Sequence, residues 1–586
     1  MSSASTSTCY TAISFAPVQG FIEKSRKLRD LYGASLILSY LSQKLVEEFH
    51  QPPELKIISP ALIHHQKGMP NRILVKGSFI ERDRVQNTLL KHWQHLLTVC
   101  REWVELYVPA DYHWSQRPEQ VGKEKGEWER WGSYAWEVFW GSGDSPQAAM
   151  EDLETRKLKR DWTAINWTGE SSSLSGTDAI AWNRLGEKHS SPGKVLTQAE
   201  AEELELFYRR LSWLLDNPEA RKGKAGAMSL KALQDYEVSN PQGIGRYIAV
   251  NERLSIPELV KRLITYDRID AERPEQERLK IAKLKKKAED PEFKDIYREP
   301  TYWTGWFMGD GDKVGEKLKM LANRHPDDEE KRDQDLTRFS ELVRNWGQKF
   351  EDQKGLFPKA KGRVIYAGGD DFMGVLYNED TETEEKPEKL KPIEIRNWLI
   401  QLSDQWRELQ AALAEELDFK NRNRFTYSVG FVWAGHNVPQ RDVLQHCREA
   451  EKRAKSLNRD RVTIRVVFNS GQYIQWTCPW DYINILTKYR DRDGKTGEQA
   501  NWNHLYSDWA TLKARHAIRL REVDSENNPV DRELAVAMLD LYFDDLGQEI
   551  GQKRQWAAIA GDNSEVAVVR WINDLVQVGW QLCSNT

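Results

Sequence analysis

The chain has 586 residues, 39% hydrophobic and 30% charged, which is more than one core usually organises, so several domains are expected. Its 85 Lys+Arg against 90 Asp+Glu give a net charge of −5, which excludes a wholly cationic surface and confines any nucleic-acid contact to local basic patches. No stretch approaches the ~20 consecutive apolar residues of a membrane span, and MSSASTSTCY lacks the charged and apolar regions of a secretion signal. The 5 cysteines (Cys9, Cys100, Cys447, Cys478 and Cys583) are scattered with no CxxC pair, so neither a disulfide framework nor a cysteine zinc site is expected. A cytoplasmic protein with reduced thiols and no membrane partner is the expectation.

In chain order, Ala12, Ile13 and Phe15 read as a strand, and Phe21 to Phe49 carry helical periodicity. A strand at Arg72 to Gly77 and a helix from Arg82 to Tyr107 follow, with YAWEVFW (Tyr134 to Trp140) closing a small sheet. Residues 1–145 are therefore expected to form a first α+β domain. Tryptophans crowd the stretch from Trp93 to Trp213; they suit base stacking or core packing, and their apolar neighbours favour packing. Residues 146–300 turn polar, with SSSLSG at Ser171 to Gly176, and read as a helical insert with mobile loops. Lys280, Lys283, Lys285, Lys286 and Lys287 near its end suit either a phosphate clamp or a solvated helix face.

Residues 301–470 read as a second α+β unit. Strands are expected at Tyr302 to Met308, Arg363 to Ala367, Phe372 to Tyr377, Phe425 to Val432 and Val462 to Phe468. Helices are expected near Val314 to Phe350, Ile393 to Leu417 and Pro439 to Leu457. The order β-α-β-β-α-β is that of a ferredoxin-like sheet covered by helices. NEDTETEEKPEK after Tyr377 is a solvated connector. Residues 471–586 read as a helical domain with an apolar stripe of Leu534, Met538, Leu541 and Tyr542.

The strongest local signal is RVIYAGGDDFMGVLY, two apolar runs flanking Gly368, Gly369, Asp370 and Asp371, which reads as a hairpin. Glycines there admit a tight turn and a close triphosphate, while adjacent carboxylates repel each other unless a cation neutralises them. An acidic turn also serves solubility alone. Asp310-Gly311-Asp312 supplies a second acidic tip where YWTGWFM ends and a helix begins. In a ferredoxin-like sheet these two tips are neighbours, so Asp310 approaches Asp370 and Asp371 in a site for two Mg²⁺ or Mn²⁺ ions. Gly311 and Gly315 leave N–H groups free near the helix start. REAEKRAKSLNRDR supplies Lys455 as a candidate contact to a terminal phosphate, although Lys452, Arg453, Lys455 and Arg459 also suit a plain solvated surface.

DGDKVG, YAGGDD and YSVGFV…REAEKRAKSLNRD resemble, in order and spacing, the catalytic palm shared by GGDEF-type nucleotide cyclases and the polymerase-like large subunit of type III CRISPR effector complexes. ISFAPVQGFIEKSRKLRDLYGASLILSYL, PNRILVKG and YAWEVFW resemble the first palm of the Cmr-type large subunit, type III-B or a variant. The resemblance implies two ferredoxin-like palm domains, a helical or zinc-bearing insert and a C-terminal helical domain. It implies a subunit that, with guide crRNA, target RNA and other effector subunits, converts ATP into cyclic oligoadenylate. By motif, Asp310, Asp370 and Asp371 would hold the metals, Asp312 has a weaker claim as a ligand, and Gly368, Gly369, Gly311, Ser428 and Lys455 would lie near nucleotide.

Two departures qualify it. No His-Asp dipeptide occurs, so the DNase activity of members with an HD domain is not expected. The cysteines of the usual insert knuckle are missing, LGEKHSSPGK standing in that place, so no zinc is expected. His64, His65, His92 and His95 lack acidic or cysteine companions and read as surface or packing residues. The first palm has no GGDD-like acid pair and reads as a nucleotide-binding and assembly domain. Rival readings are a catalytically silent scaffold that binds crRNA and partner subunits, and a stand-alone nucleotide cyclase.

Overall fold

The computed structural model describes residues 9–61, 68–115, 126–159, 169–187, 195–218, 228–241, 243–266, 268–271, 273–279, 301–350, 356, 362–377, 389–520, 529–543, 546, 550, 552–562 and 564–584. It divides into two units, residues 1–295 and 296–586, each with its own sheet. The lysine run at 280–287, the acidic connector at 378–388, His64, His65 and residues 188–194 lie outside the described residues.

In the first unit the apolar run around Ile13 forms β1 (Cys9–Ala16), buried along nearly its whole length because it has strands on both sides. β3 (Arg72–Gly77) pairs antiparallel with one edge and β4 (Glu137–Gly143) with the other, while β2 (Leu55–Ser59) lies beyond β3. The order β2-β3-β1-β4 is that of a ferredoxin-like sheet. β2 has no counterpart in the sequence reading: five residues between prolines are too few to show a period. The helix expected from Phe21 is divided into Val18–Glu23 and Leu28–His50. Its break is made by Asp30, whose carboxylate accepts the Lys27 N–H at 3.1 Å and starts a new helix. YAWEVFW also divides, since Tyr134 ends a helix and the strand begins at Glu137.

The polar stretch after β4 carries helices Gln198–Asp216, Leu230–Ser239 and Ile256–Ile264. Their apolar faces join the same core as β1, so sheet and insert share one interior. Trp93, Trp103, Trp114, Trp128, Trp136, Trp182 and Trp213 are buried in it, the packing role their neighbours suggest. The SSSLSG segment is held down by Glu258, which accepts from Ser172 Oγ at 3.3 Å and from the Ser175 N–H at 3.1 Å. Helix Ile256–Ile264 crosses Leu28–His50 so closely that a Cβ on Gly33 would overlap the Lys261 carbonyl. At this crossing Arg262, 1% exposed, pairs with Asp30 at 2.7 Å and with Glu252 at 3.1 Å. Burial alone would raise the Asp30 carboxyl, but Arg262 and then Lys261 hold it below the ordinary range. Gly33→Ala must separate two backbones, so a loss of about 3 kcal/mol is expected, read from the urea midpoint.

The second unit repeats the topology. β5 (Thr304–Gly311) is flanked by β7 (Phe372–Leu376) and β8 (Tyr427–Ala434), with β6 (Arg363–Ala367) beyond β7. β9 (Arg461–Val467) then runs parallel to β8, and β10 (Tyr473–Pro479) closes the order β10-β9-β8-β5-β7-β6. The chain at Tyr473 reads as helix from sequence but is a strand, because GQ at the preceding turn lets β10 fold back on β9 with Tyr473 opposite Val467. Helices Val314–Arg324, Glu329–Gln348, Pro392–Glu416 and Gln440–Ser456 connect the strands. After β10 come Asn503–Ala514, Pro529–Phe543, Lys553–Ala560 and Glu565–Cys583. Leu541 departs from the expected stripe: it is 66% exposed, and Ala535 and Leu539 join Met538 and Tyr542 on the buried side. All five cysteines are free.

Candidate metal and nucleotide site

The site is built where β5 ends. Its final residues lie opposite Phe372 of β7 on one side, through Gly309, and opposite Ser428 of β8 on the other, through Asp310. The β6–β7 turn closes with the Gly368 N–H donating to the Asp371 carbonyl at 3.0 Å. The Gly311 N–H donates to the Asp370 carbonyl at 3.1 Å and ties that turn to the β5 tip. Glycine is needed at 311, since a Cβ there would stand 2.9 Å from Asp370 Cβ and 2.8 Å from the Phe425 ring. The outcome is a carboxylate oxygen from each of Asp310, Asp370 and Asp371, all within 4.8 Å of one another. An all-oxygen set of this kind fits a hard divalent cation such as Mg²⁺ or Mn²⁺.

Three acids this close raise the cost of ionising them. Asp371 is exposed as a residue, yet its carboxyl is pushed well above the ordinary range. The largest cause is loss of water around the carboxyl, followed by its hydrogen bond with Asp310 and the charges of Asp370 and Asp310. A divalent ion would relieve this repulsion. In metal-free buffer Asp371→Asn is therefore expected to raise the urea midpoint. The protonated form is favoured in the folded state, so the repulsion exists above the raised pKa and fades as pH falls through it toward 3.8. The variant's advantage should follow the same course, greatest in neutral to alkaline buffer, and Mg²⁺ should reverse it.

Arg344, from helix Glu329–Gln348, supports the turn from behind, its Nη1 donating to the Gly368 carbonyl at 2.8 Å. Burial pushes its guanidinium down to about 10. Tyr366 packs against Gly368, its phenol raised by burial and then by Asp371 and Asp370. The sequence offers no signal for Arg344, one of many arginines on an amphipathic helix.

Lys455 comes from helix Gln440–Ser456 and pairs with both Asp310 and Glu451. Burial alone would lower its ammonium, but these two acids hold it above the ordinary lysine value. Glu451, one helical turn earlier, is nearly buried and raised by that burial, with Lys455 opposing. Its i, i+4 spacing to Lys455 is the signal by which sequence finds it.

Two expected site residues have other work. Asp312 is not in the acidic cluster; it is 2% exposed and accepts from Ser428 Oγ at 2.8 Å, Thr426 Oγ1 at 2.9 Å and the Asp460 N–H at 3.0 Å. Its lone pairs are thus spent within the protein rather than offered to an ion. Ser428 is fully buried with its hydroxyl on Asp312, so it is not placed to touch a nucleotide. Asp312 also fixes the loop before β9, where Asn458, Arg459 and Asp460 take φ values of 76°, 62° and 52°. Such left-handed conformations are costly for residues with side chains and persist where surrounding bonds enforce them. Gly369 and Gly315 face open space.

A second acidic group, Asp491, Asp493 and His504, escaped the sequence reading. Asp491 spends its oxygens on the N–H groups of Asp493, Lys495 and Asn501, which closes a loop. His92 and His95 are not grouped with metal-type ligands among the described residues. Burial, then Lys44 and Lys91, pushes His92 down to about 4, and its ring stands edge-on to Tyr40.

A ferredoxin-like sheet bearing three carboxylates at the tips of its first strand and following hairpin defines a palm domain of the nucleotidyltransferase-like class. The family model for the Cas10/Cmr2 second palm domain matches residues 303–463, and that for the CRISPR-associated protein Cmr2 N-terminal region matches residues 10–96. These two regions are thus similar to the palm and N-terminal parts of the Cas10/Cmr2 large subunits of type III CRISPR complexes.

Among solved structures, the apo-state cryo-EM structure of type III-B Cmr-beta matches at 12% identity and TM-score 0.49, covering 91% of this chain and 77% of that one. The crystal structure of Csm1 in T. onnurineus matches at 12% identity and TM-score 0.41, covering 99% and 70%. The Csm1–Csm4 cassette in complex with cA4 matches at 13% identity and TM-score 0.42, covering 98% and 70%. No curated protein matches the chain significantly. Among the described residues no helix is long and apolar enough to cross a membrane.

Proposed function

We propose that this chain is the large subunit of a type III RNA-guided effector in antiviral defence, and that its second palm makes cyclic oligoadenylate and pyrophosphate from ATP when target RNA pairs with the guide. The observation that carries this reading is the convergence of Asp310, Asp370 and Asp371 within 4.8 Å at the tips of a Cas10/Cmr2 palm. Its partners on this reading are crRNA, target RNA and other effector subunits, in the cytoplasm of a prokaryote.

Asp310, Asp370 and Asp371 would hold two Mg²⁺ or Mn²⁺ ions. When bound, such ions neutralise the triphosphate and ease ionisation of a ribose 3′-hydroxyl. The backbone at Gly369, which faces open space, leaves room for phosphates to approach, while Gly311 and Gly368 shape the turn that presents it. Lys455 can exchange Asp310 for a phosphate oxygen without leaving the site, Glu451 remaining as its second partner. Arg344 holds the turn so that Asp370 and Asp371 keep their spacing.

The test is to incubate the assembled complex with ATP and Mg²⁺, with and without cognate RNA, and to analyse the products by mass. Cyclic adenylates formed only with RNA support the proposal. ATP left unconsumed under both conditions overturns it and favours the silent scaffold.

A further inference from the structure

Lys455 sits in the last turn of helix Gln440–Ser456, and the backbone that finishes this turn is costly. The Arg459 N–H reaches back to the Ala454 carbonyl at 3.2 Å and closes the chain around Lys455. Such a closure needs one left-handed residue, a conformation that asparagine tolerates and Asn458 supplies. Arg459 and Asp460 continue in the same conformation, and left-handed residues with side chains do not persist in series unaided. Bonds from outside the loop must enforce them.

Asp312 holds one side, through the Asp460 N–H at 3.0 Å. Arg461 holds the other. Its Nε donates to the Arg459 carbonyl at 3.0 Å, while Nη1 and Nη2 donate to the carbonyls of Ile559 and Ala558 at 3.2 and 3.0 Å. These two carbonyls lie at the end of helix Lys553–Ala560, where carbonyls lack partners within the helix and the dipole favours a cation. The fixed fork of a guanidinium suits this task, since it offers donors to the loop and to the helix at once. Arg461 is 3% exposed, so water hardly competes for these bonds. Leu457, at the start of the loop, packs on the end of the same helix: a Cβ on Gly561 would stand 2.8 Å from its side chain.

We infer that Arg461 is a positioning residue of the second palm: by tying the loop to the end of helix Lys553–Ala560 it fixes where the Lys455 ammonium stands against Asp310. Its effect on turnover rests on the nucleotide reading given above, whereas its effect on Lys455 does not. Arg465, further along β9, supplies the contrast. It is also buried, but its partners are Gln475, His446 and Glu449, all outside the loop.

The full chain is compared with Arg461→Gln, Arg461→Lys and, as control, Arg465→Gln. Lys455 is probed by its rate of acetylation with acetic anhydride, and the segment 457–461 by hydrogen exchange, both read by mass. In Arg461→Gln, acetylation of Lys455 and exchange of the segment are each expected to be about tenfold faster, with the rest of β9 unchanged. Arg461→Lys, which keeps the charge but loses the fork, should fall between, and it carries the same test should Arg461→Gln not fold. Arg465→Gln should lower the urea midpoint yet leave Lys455 and the segment as they were. In the RNA-bound complex, Arg461→Gln should raise the KM for ATP about tenfold with a smaller change in kcat. A wild-type complex that makes no product refutes the proposed function alone, because acetylation and exchange need no turnover and still decide the positioning role. Unchanged acetylation and exchange in both Arg461 variants, equal gains in Arg465→Gln, or an unmoved KM in a complex that does turn over overturns the inference.

Discussion

Asp370→Ala/Asp371→Ala is expected to lower ATP-dependent product formation by the assembled, RNA-bound complex by roughly a thousandfold or more, about 4 kcal/mol of transition-state stabilisation. Both side chains leave the same cluster, so Asp310 alone would have to hold the ions beside a competing ammonium from Lys455. Stability should move the other way, because the folded chain no longer bears the repulsion that raises Asp371. The paired measurement is product yield against urea midpoint. A variant that keeps full synthesis refutes the assignment of these carboxylates, and one that loses synthesis together with its fold shows a structural role instead.

Asp312→Ala should have the opposite profile. Removing this carboxylate leaves the hydroxyls of Ser428 and Thr426 and the amide of Asp460 without their acceptor in a buried place. Each such group costs about 1–3 kcal/mol, so a destabilisation of about 3 kcal/mol or more is expected. Asp310→Ala, only two residues away, removes a partly exposed partner of Lys455 and should cost about 1 kcal/mol or less. Urea titrations of the two variants separate the roles: equal midpoints would refute the division between an ion-holding and a fold-holding aspartate.

Much of this was legible in the residues. Strands β3 and β6 and the helix from Arg82 to Tyr107 fall where their periodicity places them, since each is bounded by clear breaks. The nearness of Asp310 to the GGDD turn follows from strand order, because a ferredoxin-like sheet sets its first strand beside the third. Asp312, with its weaker claim as a ligand, and Ser428 are grouped with the site because sequence spacing does not state which face of a strand end a side chain occupies. Arg344, donating upward to Gly368 from a helix that precedes the hairpin, is a tertiary contact with no local signature. β2 and β10 were missed because a short strand gains its stability from the strand beside it, as β10 does from β9.

Helix Ile256–Ile264 has a bearing on how the protein is made. Asp30 and Phe21 lie near the start of the chain, yet their partners Arg262 and Lys261 are translated more than 200 residues later. A nascent chain that has emerged only through β4 has a sheet but must leave the Asp30 carboxylate hydrated and the Gly33 face of its long helix bare. The amino-terminal half therefore completes its interior only once residue 264 has cleared the ribosome, and a fragment cut after the first sheet should be retained by chaperones rather than accumulate as a free domain.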